Sequence, residues 1–100
     1  MAIKEARQSG NNVSVKLEGN SQQFIGTLIG YTSKAVFIKN NRNLNIQVNK
    51  TGNTLSPSGV NISLQGNEEI KMYENNVGIK RGSTVYLYDE TGHSAGTRCM

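Results

Sequence analysis

VSVKLEGNSQQFIGTLIGYTSKAVFI, residues 13–38, is the stretch whose reading decides the fold. Val13, Val15 and Leu17 alternate with Ser14, Lys16 and Glu18, the period-two pattern of a strand with one face in a core. Gly19 and Asn20 mark a turn. A second run, residues 24–31, carries Gly26 and Gly30 inside a strand pattern. Glycine weakens a strand unless the backbone must bend or approach something closely. A strongly bent strand is how a small barrel turns its corner. Thr32, Ser33 and Lys34 form the next turn, and Ala35 to Ile38 is an unbroken apolar run. Three strands in a meander are expected.

Working outward, LNIQV at 44–48 alternates strictly and pairs with the third strand as a hairpin across the turn at 40–43. KTGNTLSPSG at 50–59 is the longest loop signal and holds the only proline, Pro57. The excursion over 40–68 is therefore expected as an elaborated hairpin or loop. VNISLQGN at 60–67 shares V-x-(V/I)-x-L-x-G-N with VSVKLEGN at 13–20. A duplication and two independent strand-plus-turn solutions both produce that match. Ile70 with Met72, Val77 with Ile79, and Val85 with Leu87 continue the alternation. If Val85 and Leu87 face the core, Tyr86 and Tyr88 face out. Residues 2–9 are good helix formers with Gly10 to stop them, so a short N-terminal helix is expected, with a frayed terminus as the alternative. The tail at 91–100 has no pattern and is expected to be loose. The whole reads as one all-β domain over 1–100, a small, strongly bent antiparallel barrel of the SH3-like or Sm-like class.

Composition narrows the function classes. Only 18% of the 100 residues are charged, and the net charge is +4. A basic balance permits contact with phosphate backbones, but no run of five like charges exists to demand it. Cys99 is the single cysteine, so neither an internal disulfide nor a zinc centre is expected. No membrane span and no apolar leader can be read from the chain. The expectation is a cytoplasmic protein in a reducing compartment.

No catalytic constellation stands out. His93 is alone in the tail, and two ligands with Cys99 do not close a metal site. Glu68–Glu69 and Asp89–Glu90 are neighbours, and neighbours on a strand point to opposite faces. No enzyme, cofactor or metal is expected. Lys80, Arg81 and Gly82 lie in a break between two strands, where a basic pair and turn N–H groups suit phosphate or a base edge.

Together, residues 13–38 and VGIKRGSTVYLYDE at 77–90 resemble the two motifs of the Sm-like family of Sm, Lsm and Hfq proteins. The resemblance implies a five-stranded bent barrel in a ring of six or seven subunits, a homo-oligomer joined by strand-edge pairing. It also implies single-stranded RNA held by two turns facing a pore. By position the contacts are Thr32 and Lys34 in one turn and Lys80, Arg81 and Gly82 in the other. Thr32 stands where the family usually carries Asp. A second function fits the same residues: a protein-interaction or assembly β-domain with no nucleic-acid activity, supported by the Asn-rich, uncharged surface.

Overall fold

A computed structural model describes residues 3–17, 19–49, 55–59, 62–64 and 68–99. The Gly66–Asn67 turn and the first two residues of the second copy of the V-x-(V/I)-x-L pattern, Val60 and Asn61, lie outside them.

The described chain is all β, in twelve short strands: β1 (Ile3–Ser9), β2 (Asn12–Leu17), β3 (Asn20–Ile25), β4 (Thr27–Tyr31), β5 (Ala35–Asn40), β6 (Asn43–Asn49), β7 (Leu55–Pro57), β8 (Ile62–Ser63), β9 (Glu69–Tyr73), β10 (Asn76–Arg81), β11 (Thr84–Tyr88) and β12 (Ser94–Cys99). They form three antiparallel sheets, ordered β1-β2-β3, β4-β5-β6-β7 with β8 also on β6, and β12-β11-β10-β9.

The apolar run Ala35–Ile38 explains the layering. All four of its side chains are buried. Val36 and Ile38 pack with Ile3, Val13, Val15 and Leu17 of the first sheet. Ala35 and Phe37 point the other way, to Val77 and Ile79 of the third. A strand buried on both faces reads as a continuous apolar run instead of an alternation. The second sheet is thus the filling between two others. Burying Val36, Phe37 and Ile38 contributes about 1.5–3 kcal/mol each.

Several expectations are corrected. No sheet among the described residues closes into a barrel. Two apolar interfaces, one on each face of β5, replace the single barrel interior. Residues 3–9 are a strand, not a helix: β1 pairs with β2 from Ser9–Asn12 back to Ile3–Leu17. A short helix is marginal alone, whereas this pairing buries Ile3 and Ala6. The tail is a strand as well, because β12 pairs with β11. Every residue of β12 is exposed, so neither face imposes an apolar period. The run at 24–31 is not one bent strand. It breaks at Gly26, where φ is +142° and a Cβ would stand 2.7 Å from the Lys39 carbonyl oxygen. There the chain leaves the first sheet and enters the second. Tyr88 packs inward against the Phe37 cluster, the opposite of the expected face.

The excursion after β6 returns along it as a broken strand. β7 pairs with Gln47–Asn49, and β8 pairs with Asn43 and Leu44.

Candidate functional site

The two turns singled out in the sequence lie on different sheets, the Thr32–Lys34 turn on the second and the Lys80–Gly82 turn on the third. Thr32 closes the β4–β5 turn, where its hydroxyl oxygen accepts the N–H groups of Lys34 at 3.1 Å and Ala35 at 3.2 Å. The same hydroxyl donates to the Glu90 carboxylate, two residues past the end of β11. Lys34 is exposed. Arg81 pairs with Thr84 at the start of β11, and Gly82 sits in the turn between them. At about 3.4 Å per residue, the five-residue length of β11 sets the two turns roughly 17 Å apart. The fold does not bring Thr32 and Lys34 together with Lys80, Arg81 and Gly82.

Arg81 is already occupied. Its Nε bonds the Glu68 carboxylate, whose side chain is only 8% exposed. Its Nη2 donates to the Ser63 carbonyl at 3.0 Å, and its guanidinium lies 5.5 Å from the Tyr86 ring centroid. The hydrogen bond to Glu68 raises the Arg81 pKa above its ordinary value, against partial desolvation. Lys80 lies 3.9 Å from the Glu69 carboxylate. These contacts make the hairpin a clasp between β8–β9 and β10–β11, in place of an open phosphate cradle.

A more open feature lies on the first layer, and periodicity alone does not reveal it. Among the described residues β3 pairs only with β2. Gly26 N–H donates to the Asn11 carbonyl at 2.8 Å, which fixes the phase of the ladder. The pairs Asn11–Gly26, Val13–Phe24 and Val15–Gln22 are the hydrogen-bonded ones. The N–H and C=O groups of Ser21, Gln23 and Ile25 therefore point away from β2. They meet no backbone partner among the described residues.

Sheets normally blunt such an edge with charge, proline, a bulge or a cover. β1 has Lys4, Glu5 and Arg7, β9 has Glu69 and Lys71, and β12 has Arg98. β7 carries Pro57, and β8 is two residues long. β4 is bulged, and the Gln8 carboxamide covers it, accepting Leu28 N–H at 2.5 Å and donating to the Gly26 carbonyl at 3.0 Å. β3 reads NSQQFI, with none of these devices among the described residues. It also holds Ile25, which is 70% exposed.

Beside this edge lies a cleft of about 340 Å³, lined by Gln23, Phe24, Ile25, Ile38, Asn40, Asn45 and Gln47. No lining side chain is charged. The floor is the face of β5 and β6 that the first sheet leaves partly uncovered.

Among the described residues no three His, Cys, Asp or Glu side chains gather as a metal ion requires, and no helix is long and apolar enough to cross a membrane. No family model, curated protein or solved structure matches the chain.

Proposed function

We propose that this protein is a non-catalytic protein-interaction module that engages its partners by strand-edge pairing. The observation that supports the reading is the β3 edge, with outward backbone groups at Ser21, Gln23 and Ile25 and no charge to repel an incoming strand. Main-chain hydrogen bonds supply affinity in such pairing, and adjacent pockets supply selectivity. Selection of a displayed peptide library against the protein tests it. The expected outcome is a set of extended peptides whose binding disappears when their backbone amides are methylated. Tight single-stranded RNA binding with no peptide enriched would contradict it.

One observation favours a second reading, single-stranded RNA bound by a Sm-like assembly. At the β4–β5 turn, Tyr31 is 41% exposed, and Lys34 makes no ion pair among the described residues. An aromatic face and a free cation suit a base and a phosphate. Co-purifying nucleic acid, a six- or seven-subunit mass in solution and salt-sensitive RNA binding are its signature.

A further inference from the structure

We infer that the β3 edge and the adjoining amide-lined cleft take a single extended polypeptide segment, added antiparallel or parallel to β3, and not a second folded copy of this chain. The inference rests on the strand-pairing reading and names its surface and occupant.

The layer beneath β3 discriminates between occupants. Gln22 Oε1 accepts the Leu55 N–H at 2.6 Å, so this end of β3 lies over β7. Phe24 packs against the cluster containing Val36 and Ile38, so the other end lies over β5. The second sheet thus extends sideways past the free edge, and the half-buried Asn45 and Gln47 of β6 form a shelf there. A strand joining β3 at the usual spacing of about 4.8 Å must lie on that shelf. In a second copy, β3 carries its own β5–β7 layer directly below it. Two copies paired antiparallel, about a two-fold axis perpendicular to the sheet, would place two second layers in the same space. An extended segment brings no layer and fits.

Chemistry narrows the segment further. Asn40, Asn45 and Gln47 present uncharged donors and acceptors around the aliphatic Ile38. Side chains facing the shelf are therefore hydroxyl- or amide-bearing, since an apolar side chain there would leave the amides without partners. The opposite face of the new strand lies beside Ser21, Gln23 and Ile25, where a β-branched aliphatic residue covers Ile25.

The test is backbone amide exchange by NMR on the full chain, with a neutral, end-capped heptapeptide of alternating threonine and valine at millimolar concentration. Expected are one-to-one binding and exchange slowed about tenfold or more at Ser21, Gln23 and Ile25, with Gln22 and Phe24 little changed. Gln23→Pro removes an outward N–H without touching the β2–β3 ladder and abolishes the effect. Ile25→Lys, at an exposed position, serves if the proline variant does not fold. Protection of β12 amides in place of β3 overturns this inference while leaving strand pairing standing. No protection of any edge overturns both. Protection of Ser21, Gln23 and Ile25 that grows with protein concentration in the absence of peptide shows a second copy on the edge, and also overturns the inference.

Discussion

Met72 fills the space directly above Gly30: a Cβ built on Gly30 would lie 2.2 Å from the Met72 Cγ. Gly30 is on β4 of the middle sheet and Met72 on β9 of the third. The glycine lets the two layers close, with Met72 packed against the Phe37 cluster. Gly30→Ala forces that methionine aside and costs about 1–3 kcal/mol, as overpacking does. Met72→Ala in the same chain restores part of the loss, because the methyl then has room. Chemical denaturation of the three variants checks this. Additive losses in the double variant would break the account.

The Gln22 amide oxygen is the acceptor for the half-buried Leu55 N–H. Gln22→Ala leaves that N–H unsatisfied and costs about 1–3 kcal/mol. Gln23, one residue on, points outward, and Gln23→Ala changes stability by less than about 0.5 kcal/mol. Equal effects of the two substitutions on thermal melting would refute the assigned faces of β3.

Arg81 is bound within the fold, so Arg81→Ala lowers stability before it lowers any binding. Glu68 loses its guanidinium partner in a site where its side chain is 8% exposed. Arg81 itself is a third exposed, which reduces the cost to about 1–3 kcal/mol, below that of a fully buried pair. Lys34→Ala at the exposed turn leaves stability within about 0.5 kcal/mol of the parent. Parallel melts of the two variants decide whether the two turns differ in this way.

Asp89 organises the turn before β12. The Thr91 hydroxyl donates to its carboxylate at 2.7 Å, and the N–H groups of Thr91 and His93 add bonds at 2.9 and 3.0 Å. The Thr91 hydroxyl bond first, then the backbone bonds, hold the carboxyl below its ordinary value of 3.8 against partial desolvation. A carboxyl depressed in the folded state stabilises above its unfolded pKa, and that stabilisation is lost as pH falls through the folded value. The melting temperature of the parent should exceed that of Asp89→Asn by a constant margin above about pH 5 and converge on it below pH 3.8. A margin that persists unchanged into strong acid would show that the charge plays no part.

Much of the strand content was legible, and the reasons divide along physical lines. Alternation at 13–17 and 44–48 and the apolar run at 35–38 mark real strands, because burial imposes those periods. Periodicity does not say which sheet a strand joins. That is why a chain switching layers at Gly26 reads as one bent strand. The helix formers at 3–9 follow local propensity, which pairing with β2 overrides. β12 is exposed on both faces and has no pattern to find. The open edge depends on strand order, which no local signal encodes. Arg81 stands out as a basic turn residue, but its capture by Glu68 and Ser63 is a tertiary contact.

Among the described residues β3 presents an unpaired edge. Hydrogen–deuterium exchange of the isolated protein, resolved residue by residue, tests it most directly. The expected result is an alternation along β3, with Gln22 and Phe24 protected by β2 and Ser21, Gln23 and Ile25 exchanging rapidly. Val36, Phe37 and Ile38 of β5 should be among the slowest in the chain. Uniform protection from Ser21 to Ile25 at high dilution would contradict it.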